Sequence, residues 1–291
     1  MKLRSPFRIL PTVVAVLAGF IGVASTAIAG DGCPTDANWI ATDRPDITNS
    51  SLVVPFNSIQ VENGLDWTVR AGSNALDATN TRLRLGIAHC TELLFDPPSY
   101  FGTLDGSQPS GFSDLVVSVK RQLQVPFGFD LSATFGVSTP TGRARIFGHG
   151  YQPYLQFPWS HPIGIDWEIA GMFTILWSPG QSSTSVAFQP TLSLERAMGP
   201  SADVFLEYVA DYDHLPPAHL LDMGAAWRFT KTQQLDLHLG FGLNRSSPAL
   251  NGVPAAQYFG IGYSIRLDRV IRNPSEIPPC RYRPAANDCG P

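Results

Sequence analysis

Between residues 58 and 268 the chain repeats one pattern, in stretches of about ten residues where every second side chain is apolar or aromatic. In Gln234–Asn244, Leu235, Leu237, Leu239, Phe241 and Leu243 alternate with Asp236, His238, Gly240, Gly242 and Asn244. In Gln257–Leu267, Phe259, Ile261, Tyr263, Ile265 and Leu267 alternate with Tyr258, Gly260, Gly262, Ser264 and Arg266. A period of two describes a strand with one greasy and one wet face. About ten residues is the length a tilted strand needs to cross a bilayer. Further stretches begin at Ser58, Thr81, Thr91, Phe112, Phe127, Gly150, Gly164, Ser183, Ala202 and His219. The pattern weakens in Ala202–Asp211, where Phe205 and Val209 fall on the polar face, and Gly164–Trp177 is expected to carry Ile165 and Trp167 outward. The expected count is about twelve strands, an even number as single-chain bacterial barrels have.

The connections alternate in length. Ala71–Asn80, Phe101–Gly111, Thr139–His149, Ser178–Ser182, Tyr212–Ala218 and Arg245–Pro254 read as the longer ones. Those at Cys90, Pro126, His161, Gly199 and Thr232 are tight. Long external loops and short periplasmic turns mark outer-membrane barrels, so both termini are expected in the periplasm. A soluble sandwich or lipocalin-like barrel would turn the apolar face inward. Here the other face carries Gly, Ser, Thr and charges of both signs, which suits a filled or hydrated lumen. Only 15% of residues are charged, which fits an outer surface against lipid, and the net charge of −4 argues against nucleic acid as a partner. The fold expected is all-β: a single-domain antiparallel transmembrane β-barrel over residues 57–268.

The chain opens with Lys2 and Arg4, then an apolar run from Val13 to Val23, then Ala27-Ile28-Ala29. This is the pattern of a secretory signal peptide over residues 1–29. Residues 30–56 are polar and irregular, and residues 269–291 form a Pro-rich tail; both are expected on the periplasmic side. Four cysteines, Cys33, Cys90, Cys280 and Cys289, fall on that same side. Pairing Cys280 with Cys289 and Cys33 with Cys90 is favoured, with the crossed pairings that tie the tail to the barrel left open.

The working surface is the lumen. Glu62, Asp66, Arg82, Arg84, Glu92, Asp114, Asp222, Arg228, Asp236 and Arg266 project from the polar face, with Lys120, Asp130, Glu168, Glu195, Asp203, Glu207 and His238. Asp66 is expected beside Arg82 and Arg84. Charge rings of this kind tune which solutes pass, and the acidic excess favours cations or neutral solutes. The bland alternative is that these groups pair across the lumen and hold it shut. Asp43, Arg44 and Asp46 form a compact charged motif before the first strand. The segment around it is read either as a plug or gate, with Arg44 pairing inward carboxylates, or as a periplasmic strap against the barrel base. The tryptophans fall near strand ends, where interfacial girdles sit.

The string Thr42-Asp43-Arg44-Pro45-Asp46-Ile47-Thr48-Asn49-Ser50-Ser51, with Val54-Pro55 and Gln60-Val61-Glu62 after it, resembles the opening of a bacterial family of outer-membrane transporters labelled after the meta-pathway of phenol degradation. Leu83-Arg84-Leu85-Gly86-Ile87, Glu92-Leu93 and Thr139-Pro140-Thr141-Gly142 fit the same family, over residues 39 to 268. The resemblance implies an outer-membrane barrel with a transport role, for hydrophobic or aromatic solutes. It leaves the cysteines and the tail unaccounted for.

The function expected is a channel or transporter for small solutes that needs no cofactor, embedded among outer-membrane lipids of a Gram-negative bacterium and inserted by barrel-assembly machinery. The rivals are an outer-membrane lipid-modifying enzyme, with His219 and Ser178 or Ser183 near the rim, and a structural barrel that anchors periplasmic partners through its tail. His149, His214 and His219 near the rim are more simply solvated loop histidines than a metal cluster. No nucleophile motif and no zinc spacing is present.

Overall fold

A computed structural model describes residues 33, 35–70, 73–103, 110–143, 150–179, 184–213, 216–244 and 257–271. The expected signal peptide, Cys280, Cys289 and most of the expected tail lie outside the described residues.

Fourteen strand segments follow in order: β1 (Ile59–Arg70), β2 (Ser73–Ala88), β3 (Thr91–Asp96), β4 (Tyr100–Thr103), β5 (Gly111–Phe112), β6 (Leu115–Leu123), β7 (Asp130–Thr139), β8 (Gln152–Pro162), β9 (Trp167–Pro179), β10 (Thr184–Ala197), β11 (Ala202–Asp211), β12 (Ala218–Thr230), β13 (Gln233–Gly242) and β14 (Gln257–Leu267). Neighbours pair antiparallel, and β1 pairs with both β2 and β14, so the sheet closes on itself. β3 and β4 both pair with β2 and are two pieces of one strand; β5 and β6 stand in the same relation on the far side. The result is a closed antiparallel barrel of twelve strands. Closure leaves no sheet edge, which a membrane-spanning sheet requires because lipid offers its backbone no partners. Among the described residues no helix is long and apolar enough to cross a membrane.

The alternation sorts side chains as read. On β13, Leu235, Leu237 and Leu239 are exposed on the outside, while Gln234, Asp236 and His238 are buried inside. On β1, Leu65, Trp67 and Val69 face out and Gln60 and Glu62 face in. The weak pattern of β11 has a local cause. Phe205 and Val209 do face inward and are buried, and the Phe205 ring covers Gly224 across the pair where a Cβ would stand.

Two strand bounds read from the sequence need correction. The stretch Ala71–Asn80, expected as a long connection, is mostly strand, because β2 begins at Ser73. Its side chains do not alternate cleanly. A bulge between Glu62 and Gly64 shifts the register, and backbone pairing to β1 and β4 holds the stretch instead. Ile165, expected on a strand, sits fully exposed in the turn before β9.

Candidate functional site

Residues 35–56 run inside the barrel. The segment starts at the tight-turn end, where Cys33 is bonded to Cys90 in the β2–β3 turn. There the Ile40 N–H donates to the Lys231 carbonyl at 2.8 Å. Arg266 donates to the carbonyls of Ala37 at 2.8 Å and Trp39 at 3.1 Å. Farther in, the Glu207 carboxylate receives the Ile47 and Thr48 N–H groups, each at 2.8 Å, and the Thr48 hydroxyl at 2.6 Å. The chain then returns. Asn49 donates to Gln156 at 3.0 Å, Ser51 meets Ser160 at 3.1 Å, and the Val54 N–H donates to Glu92 at 2.7 Å. The Asn57 N–H donates to the Gly86 carbonyl at 2.9 Å as β1 begins. The segment is thus a loop, with both its ends at one rim.

Asp43 is the electrostatic centre of this loop. Its carboxylate lies 3.1 Å from Arg82, 3.3 Å from Arg84 and 3.1 Å from Lys120, and it also receives the Ser50 N–H at 3.0 Å. Around it Arg84 binds Glu62 at 3.1 Å and Glu92 at 2.9 Å, Lys120 lies 3.6 Å from Glu92, and Arg82 holds Asp96 through two bonds of 2.8 Å. Asp43, Glu62, Arg84, Glu92 and Lys120 are buried almost completely. Buried charges persist only when paired and hydrogen-bonded, and here the wall supplies cations and the loop an anion. Those three cations hold the Asp43 carboxyl well below the usual carboxylate range, against the opposing effect of burial. Asp46 is the opposite case. Burial, then the Glu207 and Glu195 carboxylates, push its carboxyl well above that range.

Arg44 lies on the β1–β14 wall, its Nε 3.6 Å from Asp236. Gly64 and Gly262 make the room, since a Cβ at either would collide with the guanidinium. Beyond it His238 joins Asp66 at 3.0 Å to Asp222 at 3.1 Å, and Asn80 donates to Asp66.

Two cavities flank the loop. One of about 460 Å³, toward the tight turns, is lined by Asp36, Asp46, Asp130, Glu168, Glu195 and Asp203, with Arg44 and Arg228 as its only cations among the described residues. The other, about 500 Å³ toward the long connections, is lined by Asp43, Arg44, Glu62, Arg82, Asp96 and Asp114 among others.

The lumen residues read from the sequence therefore face inward, but not in the pairs expected. Asp66 lies opposite Asp77 and joins His238 and Asn80; it does not meet Arg82 or Arg84. β2 runs on to Ser73, so the hairpin sets Arg82 opposite Glu62 and Arg84 opposite Gln60, and hairpin register cannot be read from two alternations alone. Arg228 pairs Asp203, Arg266 pairs Asp268, and Asp114 accepts the Gly142 N–H at 2.7 Å. Thr48, Asn49 and Gln234 hold the loop, and sequence reasoning misses them; the first two belong to the Thr42–Ser51 string, which is their only signal. The Cys33–Cys90 pair is formed. His149, His214 and Ser183 lie outside the described residues, while His219 Nδ1 and the Tyr208 hydroxyl share a hydrogen bond of 2.6 Å. Among the described residues no group of three or more His, Cys, Asp or Glu side chains is arranged to hold a metal ion.

A family model described as "Putative MetA-pathway of phenol degradation" matches residues 42–252. The chain belongs to this family. The match takes in both the charged loop and most of the barrel wall around it. Among solved structures, the barrel is similar to an outer-membrane channel from Pseudomonas putida F1, with 17% identity, 75% of this chain and 98% of that chain covered, and a TM-score of 0.55. It is similar also to the NanC porin, with 12% identity, 70% and 100% coverage, and a TM-score of 0.51. At these identities the likeness is one of fold. No curated protein matches the sequence.

Proposed function

We propose that the protein is an outer-membrane channel for small solutes whose conductance is set by its own N-terminal loop, residues 35–56. The observation that carries this reading is the pair of polar cavities on either side of the loop, inside a wall whose outer face is apolar. A barrel built only as an anchor has no need of polar space at both ends of its lumen. Ion pairs and hydrogen bonds hold the loop around Asp43 and Glu207, partners that it can exchange for water, while Ile40, Val53 and Val54 are buried nearer its two ends. Asp43, Arg44 and Asp46 are its gating residues. The acidic lining of the turn-side cavity favours cations and neutral solutes over anions. The family's label and the phenol pathway it names support small aromatic compounds as the neutral class.

In this reading residues 1–29 deliver the chain across the inner membrane, the tight turns and both termini face the periplasm, and the long connections face outward. Exposed Trp67, Trp167 and Trp227 meet the lipid interface, and barrel-assembly machinery inserts the chain. The enzyme reading has little support: Ser178 on β9 and His219 on β12 are separated by β10 and β11. The test is reversal potential across a planar bilayer with a KCl gradient. A potential displaced toward that of K⁺ is expected. Failure to conduct under any voltage or pH would refute the channel.

A further inference from the structure

Asp43 fills a place that the wall builds without it. Arg82 and Arg84 project from β2 and Lys120 from β6, and wall carboxylates hold all three. Asp96 holds Arg82 at 2.8 Å, Glu62 and Glu92 hold Arg84 at 3.1 and 2.9 Å, and Glu92 lies 3.6 Å from Lys120. Glu92 and Lys120 also stand opposite one another in the β3–β6 ladder. None of these contacts involves the loop. The cations therefore keep their directions when the loop departs, and such preorganisation is what makes a binding site.

The place is shaped for one carboxylate. Oδ1 of Asp43 lies 3.3 Å from Arg84 and 3.1 Å from Lys120, and Oδ2 lies 3.1 Å from Arg82. Cations thus meet both oxygens of one planar group. Their field favours an anion here, because it holds the Asp43 carboxyl well below the usual carboxylate range in spite of burial. A second negative charge, as on phosphate, would be repelled by Glu62, Glu92 and Asp96 close by.

The place can be reached from one side. Arg82 has a side chain 23% exposed, against 0% for Arg84 and 1% for Lys120. The cavity of about 500 Å³ toward the long connections is lined by Arg82 and Asp43, with Thr81, Pro97, Ser99 and Val116 around them. That space holds a single ring or a short chain. A carboxylate entering from that side meets Arg82 first.

We infer that Arg82, Arg84 and Lys120 form a receptor site for a small organic monocarboxylate, which Asp43 fills in the ligand's absence. This deepens the channel reading and rests on it for the effect on conduction. Ligand and docked Asp43 exclude one another, so a bound carboxylate shifts the loop toward its undocked state. The ligand is the signal to open, while the acidic cavity beyond selects what flows.

Binding is measured on full-length protein refolded in detergent micelles, with para-fluorobenzoate as the probe and fluorine NMR as the readout. In the wild type the probe competes with Asp43 and should bind weakly. Asp43→Ala removes the competitor and should tighten binding by about tenfold or more, since apparent affinity scales with the fraction of sites left free. Adding Lys120→Met to that variant, with Glu92 still paired to Arg84, should undo the gain. The neutral para-fluorobenzamide should bind no variant better than another, and inorganic phosphate should not displace the probe. Equal benzoate affinity in wild type and Asp43→Ala, a gain that survives Lys120→Met, amide binding that matches benzoate, or displacement by phosphate would overturn the site. Should Asp43→Ala lack the heat-modifiable gel shift of a folded barrel, Asp43→Ser serves in the same titrations with the same outcomes. In a planar bilayer, benzoate on the side of the long connections should raise the open probability of the wild type severalfold and leave Asp43→Ala unmoved; no response from the wild type would overturn the ligand's part in opening. The titration itself needs no conduction. A barrel that binds the probe as described and never conducts keeps the site and loses the channel, and one that conducts without binding carboxylates loses the site alone.

Discussion

Replacing Asp43 by asparagine keeps the shape of the loop and removes the charge at its centre. Asp43 faces Arg82, Arg84 and Lys120 at 3.1 to 3.3 Å, with almost no exposure to water. None of these cations is left alone by the change. Arg82 keeps Asp96, Arg84 keeps Glu62 and Glu92, and Lys120 keeps Glu92. The loss therefore belongs at the low end of what breaking a buried ion pair costs, about 3 kcal/mol. That loss falls on the docked loop and not on an undocked one, so the docked-to-undocked ratio should drop by about 10²-fold. The assay is single-channel recording at fixed voltage, with open probability as the readout and Asp43→Glu as a variant that retains the charge. Asp43→Asn should raise the open probability steeply and Asp43→Glu much less. Equal open probability in wild type and Asp43→Asn, with both folded by gel shift, would refute the idea that these charges dock the loop.

Other perturbations act on the same loop. Glu207→Ala leaves the Ile47 and Thr48 N–H groups and the Thr48 hydroxyl without their acceptor, at a cost of about 1–3 kcal/mol for each buried donor left unmet, and should raise open probability by at least tenfold, whereas Glu207→Gln should lie between. Asp46 has a raised pKa in the docked loop, so its contribution to docking is complete below the ordinary carboxylate range and is lost as pH rises through the raised value. Open probability should then climb with pH, and Asp46→Asn should flatten that climb; an opening driven by acid would contradict this assignment. Cys33→Ser frees one end of the loop from the rim and should lower the thermal midpoint and lengthen openings, with about 2–4 kcal/mol of constraint removed.

The barrel was legible because lipid outside and a polar lumen inside impose opposite chemistry on successive residues, and that contrast survives even in β11, where Phe205 and Val209 fill space inside. Register was less legible. Because β2 runs on to Ser73, Arg82 stands opposite Glu62 while Asp66 reaches His238, and nothing in the alternation of β1 marks it. The irregular loop had no period to read. Its course is set by charges that meet partners far along the chain, as Arg44 does with Asp236, so the sequence offered a charged motif without its address.

The most direct test of a lumen occupied by its own N-terminal loop is the conductance of the full chain against one lacking residues 35–50, measured in the same bilayer and salt. The account predicts a severalfold larger unit conductance for the shortened barrel, with its ion preference retained because the wall carboxylates remain. Identical conductance in the two proteins would mean that the loop does not limit passage through the lumen.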